Sequence, residues 1–208
     1  MMTFFKNAKK FLGLKSVHEE YHALHYKEGR VYASSATVLV WLDGEFGKRG
    51  SYDFVTGEKA DVRMPEFEKV IPRVNEKQSV YAMVPRDGLA KLYAVLKGIA
   101  AMSAKVPDAV TVYLTWGPLT LDIAVLSATI SVKYPSEALM RNHTGSTLTR
   151  ARVKVKSLAD IVDYFYQRGD DMRIYAPLRV SLQTPLCFTA KGTGGVLSQV
   201  RDAEIAQG

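Results

Sequence analysis

The chain has 208 residues, 47% hydrophobic and 24% charged, enough for one sizeable domain or two small ones and too apolar for wholesale disorder. No apolar run approaches the roughly eighteen residues that span a bilayer, and one cysteine, Cys187, cannot form an internal disulfide, so a soluble protein of a reducing cytoplasm is expected. The net charge of +7 suits a polyanionic partner, and the basic excess lies in the N-terminal three quarters.

At the N-terminus Phe4, Phe5, Ala8, Phe11 and Leu12 recur at helical spacing among Lys6, Lys9, Lys10 and Lys15. This predicts a basic amphipathic helix over 6–14, packed on its own domain. The uninterrupted apolar core of a signal peptide is absent; a helix lying on a membrane surface is the alternative. Strands are predicted over 21–27, 31–42 and 51–55, with Glu28-Gly29 and Asp43-Gly44 as turns. Pro65 and Pro72 then bracket an extended connector over 63–73.

The next segment opens with a strand over 79–84. Pro85 and Arg86 start a helix whose apolar positions are Leu89, Leu92, Leu96 and Ile99, and Pro107 ends it. Three short strands follow over 110–116, 119–126 and 129–134, separated by Gly117-Pro118 and Ser127-Ala128. The last segment repeats this order. Residues 148–156 alternate as a half-buried strand, with Arg150, Arg152, Lys154 and Lys156 on one face. That face reads as a solvated surface that also blocks edge aggregation, with contact to DNA as the alternative. Ser157 is the expected helix cap, with Asp160 three positions on. Leu158, Ile161, Val162 and Phe165 form the apolar stripe and Gly169 the stop. Strands over 172–182, 185–190 and 196–200 complete it. The fold class is therefore α+β, repeated β-α-β-β-β units with antiparallel sheets backed by helices. One shortened unit lies in an N-terminal domain, 1–63, and two in a C-terminal domain, 64–208.

The connector Met64-Pro65-Glu66-Phe67-Glu68-Lys69-Val70-Ile71-Pro72 is similar to the segment that opens the last domain of bacterial sliding clamps. Residues 147–201 resemble that family's final unit, ending in Val196-Leu197-Ser198-Gln199-Val200-Arg201. Residues 30–39 fall where the family has a middle-domain strand and its glycine-histidine-arginine turn. Here that turn reads Ala36, Thr37 and Val38, and the family's C-terminal methionine-proline motif reads Ser198-Gln199-Val200. The resemblance implies a DNA-clamp-like fold and a processivity factor without a catalytic site or cofactor. Such a factor encircles duplex DNA and tethers a DNA polymerase or another replication or recombination protein. It implies helices lining the hole, hence Lys6, Lys9, Lys10, Lys15, Arg86, Lys91, Lys97 and Lys105 as DNA contacts. It implies a partner-peptide groove that Val38, Leu39, Val196 and Leu197 would line. Clamps of this kind close as rings of twelve units, so three units per chain would give a homo-tetramer. A non-ring, sequence-independent DNA binder of the same fold is the first alternative.

A second alternative is enzymatic. His18-Glu19-Glu20-Tyr21-His22 is a literal H-E-x-x-H, the zinc-hydrolase pattern, which works only on a helix that stacks both histidines on one face. The residues after it read as a strand and no apolar helix precedes it. Asp170-Asp171 reads as a helix-terminal turn, Gly192-Thr193-Gly194-Gly195 as a hairpin, and Cys187 as a core thiol.

Overall fold

The computed structural model describes residues 1–13, 18–74, 81–103, 111–116, 120–125, 128–133, 149–176 and 184–200. The first helix, α1 (Met2–Ala8), starts four residues earlier than its periodicity suggests, and Phe4, Ala8 and Phe11 are buried. A short 3-10 turn (Glu19–His22) leads into β1 (Ala23–Lys27), β2 (Arg30–Ser34), β3 (Val38–Asp43) and β4 (Gly50–Asp53). The apolar run predicted as one strand over 31–42 is thus two. The Ser35 hydroxyl accepts from the Val38 amide at 3.2 Å and the Ser35 amide donates to the Val38 carbonyl, closing a turn that sequence hydropathy does not register. At the expected Glu28-Gly29 turn both residues take positive φ, 49° and 72°, the geometry of a tight two-residue hairpin.

The connector holds one turn of helix, α2 (Phe67–Val70), before β5 (Tyr81–Val84) and α3 (Arg86–Ser103). Leu89, Leu92, Leu96 and Ile99 of α3 are buried, as their spacing requires. Strands β6 (Thr111–Trp116), β7 (Thr120–Val125), β8 (Ala128–Lys133) and β9 (Thr149–Lys154) follow. Then come α4 (Val155–Arg168), β10 (Met172–Tyr175), β11 (Leu186–Ala190) and β12 (Thr193–Leu197). Helix α4 begins two residues before Ser157, with no side-chain cap, and Asp160 pairs with Lys156 at 2.9 Å instead of serving a capping box. Gly169 terminates α4 with φ of 80°, as expected. Strand β12 starts three residues before the expected position; the tight turn is Lys191-Gly192, and Gly194 and Gly195 lie within the strand. Gly117-Pro118, Ser127 and 177–182 lie outside the described residues.

The strands form two antiparallel sheets. Eight join in the order β4-β1-β2-β3-β12-β11-β10-β5, and four in the order β8-β7-β6-β9. The leading strands are exchanged: β5 runs into α3 but pairs with β10, and β9 runs into α4 but pairs with β6. This exchange interlocks the second and third segments, and α3 packs on α4 between them. The first segment joins the long sheet through a seam, β3 on β12, in which Val38 to Leu42 face Leu197 to Thr193, and its helix α1 packs on α4.

Alternation separates the faces of the long sheet. Leu24, Tyr26, Val31, Val40, Ile174, Phe188 and Leu197 point into the cluster that also holds the apolar stripes of α1, α3 and α4. Tyr32, Leu39, Trp41, Tyr175, Cys187 and Val196 point to the other face, beneath Phe67 and Met64 of the connector. Phe67 stacks on Tyr32 with ring centroids 4.5 Å apart. Cys187 is buried there as a core thiol, and burial pushes its pKa up to about 12.

The seam depends on small and polar residues at particular positions. On the connector face a Cβ on Gly194 would lie 2.1 Å from the Trp41 indole, which occupies that space. On the helix face the Tyr164 hydroxyl of α4 meets Thr193 Oγ1 at 2.7 Å, and Thr193 Oγ1 donates to the Trp41 carbonyl at 2.5 Å. Gly194→Ala is expected to lower the unfolding free energy by about 1–3 kcal/mol, the usual cost of overpacking. Thr193→Val, which removes the hydroxyl joining Tyr164 to the Trp41 carbonyl, should cost about 1–3 kcal/mol. Urea unfolding midpoints check both; unchanged midpoints would mean the seam tolerates either change.

Candidate nucleic-acid interface

Each of the three long apolar stripes is buried in one cluster, so the polar faces of α1, α3 and α4 point away from it. Helix α4 lies between the other two, packed against α1 and α3. Its side chains are mostly buried, leaving Lys156, Tyr166 and Gln167 exposed. The exposed cations of the helix-bearing side are therefore on the flanking helices.

On α1, Lys6 and Lys9 are exposed and make no ion pair among the described residues. Lys10 differs. Its Nζ reaches Asp163 Oδ2 of α4 at 2.5 Å and Asn7 Oδ1 at 2.8 Å. Asp163 also accepts from Gln167 Nε2 at 2.9 Å, and Gln167 Oε1 accepts from Asn7 Nδ2 at 2.9 Å. Asp163 is 5% exposed, and a buried carboxylate requires such a partner. Lys10 is thus a latch between α1 and α4, its charge already used. Its expected place among phosphate contacts is corrected on that ground.

On α3, Lys91 and Lys97 are exposed, and Lys97 lies 5.8 Å from the Tyr93 ring centroid. Arg86 is exposed, but its guanidinium lies close to Gly169, at the C-terminal end of α4, where the helix dipole favours a cation. Its backbone amide donates to Asp171 Oδ1 at 2.9 Å, and Asp170 pairs with Arg168 at 3.3 Å, so the two aspartates serve this junction. Lys15 and Lys105 lie outside the described residues. The structure therefore leaves Lys6, Lys9, Lys91 and Lys97 exposed on the helix-bearing side, with no ion pair among the described residues.

The connector face contrasts with this. Two of its strand-borne cations are ion-paired, Lys27 with Glu68 at 2.7 Å and Arg30 with Asp43 at 2.7 Å, and Arg173 of β10 lies over the Tyr81 ring. The outer side of the smaller sheet holds Arg152, which donates to Thr111 Oγ1 at 3.0 Å and lies over Tyr113. Lys156, expected to continue that strand, is in the first turn of α4. Arg150 lies outside the described side chains.

The four positions expected to line a peptide groove form the β3–β12 seam: Val38 faces Leu197, and Leu39 faces Val196. Their exposures are 6%, 1%, 4% and 2% in that order. Val38 and Leu197 point into the helix-side core, and Leu39 and Val196 lie under the connector. None of them presents a surface for a peptide, because alternation along two paired strands cannot put consecutive residues on one face.

The zinc-hydrolase pattern also loses its geometry. His18 is extended, with φ of −150°, and only Glu19–His22 turn, so the two histidines do not share a helical face. Among the described residues no group of three or more His, Cys, Asp or Glu is placed to hold a metal ion. His25 is instead a structural residue of β1. Its Nε2 donates to the Glu20 carbonyl at 2.7 Å and its Nδ1 accepts from the Ser51 hydroxyl at 2.9 Å. A basic pair that helical patterning does not find, Lys48 and Arg49, is exposed on the loop before β4. Its only sequence signal is the flanking Gly47 and Gly50.

With this geometry in hand, the comparisons with known proteins are informative. No family model matches the chain, and no curated protein does. Solved structures do. The beta sliding clamp of Caulobacter crescentus aligns with a TM-score of 0.69 at 14% identity, covering 96% of this chain and 63% of that one. A sliding clamp from Bartonella birtlesii bound to griselimycin aligns with a TM-score of 0.70 at 13% identity, with the same coverage. The DNA polymerase III beta subunit of Thermotoga maritima aligns with a TM-score of 0.67 at 12% identity, covering 95% of this chain and 63% of that one. The fold is that of a bacterial sliding clamp. The chain spans less than two thirds of the length of these clamps.

His25 makes the stability of the connector side pH-sensitive. Burial lowers its pKa below the ordinary 6.5, against the raising effects of the Glu20 carbonyl and carboxylate. A lowered folded value means the folded state favours the neutral ring. That stability is complete above 6.5 and is lost as pH falls from there through the depressed folded value. Wild-type unfolding free energy is expected to decline over that window, and His25→Gln to remove this component. Parallel pH-stability curves for the two proteins would contradict the assignment.

Proposed function

We propose that this protein is a sliding-clamp-like processivity factor that surrounds duplex DNA and tethers a DNA polymerase or other DNA-processing protein to it, without catalysis of its own. The observation that carries this reading is the set of exposed lysines without an ion pair among the described residues, Lys6, Lys9, Lys91 and Lys97, on or at the end of helices backed by sheet. Cations on a rigid lining attract phosphates without reading base edges, which lets a protein hold DNA and still move along it. The fold likeness supports the same reading. So does one of the matched structures, the Helicobacter pylori beta clamp bound to a DNA ligase peptide, at 11% identity and a TM-score of 0.64.

Closure of a ring requires strand edges. The long sheet ends in β5 on one side, while on the other β4 is covered by residues 58–60, which bond back to Ser51 and Asp53; β8 is an outer strand of the short sheet. The outer side of β9 is taken by the Val200 amide, which donates to the Arg152 carbonyl at 2.8 Å. We propose homo-oligomerisation edge to edge through such strands. Four chains of three units each match the twelve-unit ring that the resemblance implies. A buried Val38–Leu197 and Leu39–Val196 seam means that a tethered partner binds elsewhere than on those side chains.

Two assays test this. The protein is expected to stay on a covalently closed DNA circle at a salt concentration that abolishes binding to linear duplex, and to leave when the circle is cut. Equal loss from both forms would favour the alternative, a sequence-independent binder that forms no ring. Mass photometry of the free protein should show an oligomer, and a monomer at all concentrations would remove the ring.

A further inference from the structure

We infer that Lys48 and Arg49, on the loop between β3 and β4, form an additional phosphate-contacting site for duplex DNA on the helix-bearing side of the long sheet. This inference rests on the proposed DNA-encircling function and extends its surface to residues off the helices.

The side of the sheet decides which way the loop faces. Tyr26 of β1 points into the helix-side core, and Leu24 and Tyr52 face each other across β1 and β4 on that same side. Phe46 packs edge-on to Tyr26 at 5.6 Å, and Tyr26 edge-on to Tyr52 at 5.4 Å. Lys48 Nζ lies over this aromatic floor, 4.6 Å from the Tyr52 ring and 5.8 Å from the Tyr26 ring. The loop therefore rises on the helix-bearing side, at the β1–β4 end of the sheet.

Half-buried Tyr52, Phe46 and Phe54 pack against the helix-side core at this end of the sheet. Lys48 occupies that place. Aromatic faces hold an ammonium by their quadrupole and leave its charge intact, whereas a carboxylate would cancel it. Lys48 and Arg49 are both exposed and have no carboxylate partner among the described residues. Glu45, on the same loop, is exposed and makes no ion pair with either. The result is a cation held in place by rings, next to a second cation, on the side that carries Lys6 and Lys9.

The test is the salt dependence of duplex binding by the full-length chain, measured by fluorescence anisotropy on two unrelated sequences. Each phosphate contact contributes about 0.9 to the slope of log K against log salt. Lys48→Ala with Arg49→Ala is expected to reduce that slope by about 1.8, equally on both sequences. Lys48→Arg should keep the slope, and Lys69→Ala, on the connector side, should not change it. An unchanged slope in the double variant overturns the inference. If Lys6→Ala with Lys9→Ala still lowers the slope in that case, the encircling function stands without this site. A wild-type protein with no salt-dependent duplex binding would overturn both together.

Discussion

The structure depends on the seam between β3 and β12. Five facing residue pairs, Val38–Leu197 through Leu42–Thr193, turn what would be two short sheets into one of eight strands. The seam can form because each face of it is provided for. On one side Gly194 yields its side-chain volume to the Trp41 indole. On the other, Thr193 passes a hydrogen bond from Tyr164 of α4 to the Trp41 carbonyl. A buried relay of this kind is satisfied only in one register, because a one-residue slip would turn Thr193 to the connector face. Register, the docking of α4 and the attachment of the first segment are thereby a single event.

Once the sheet is continuous, its two faces acquire different electrostatic characters. The connector face is closed by Phe67 on Tyr32 and His25, and its strand-borne cations Lys27 and Arg30 are neutralised by Glu68 and Asp43. The helix face carries Lys6, Lys9, Lys91 and Lys97, which have no ion pair among the described residues. Exposed ion pairs contribute little to stability, so the pairing of Lys27 and Arg30 matters more for what it withholds from a polyanion.

The same reasoning divides the lysines of α1. Lys6, Lys9 and Lys10 are near neighbours in sequence, yet Lys10 meets the buried carboxylate of Asp163 and the other two meet solvent. A carboxylate that is 5% exposed cannot remain charged without a partner. The unfavourable acids of α4, Asp160 and Asp163, are both used locally, by Lys156 and Lys10. A helix that looks unsuited to a DNA-facing row is in fact its mostly buried middle member.

The order of strands and helices, the apolar stripes of α3 and α4, the Gly169 stop and the two-residue turn at Glu28-Gly29 were all legible in the residues, because periodicity and turn chemistry are local. So was the burial of Cys187. The split of the 31–42 run was not, since hydropathy is blind to a serine that closes a turn in mid-run. Nor was the early start of α4, where packing of Val155 overrides the capping preference of Ser157. Which cations stay unpaired, and which face each residue of the seam takes, rest on partners more than a hundred residues away, Lys10 with Asp163 and Val38 with Leu197. The sequence by itself determined the repeating elements and the sign of the charge. Only the tertiary structure decided where that charge is exposed, because exposure belongs to the pairing of distant segments and not to any one of them.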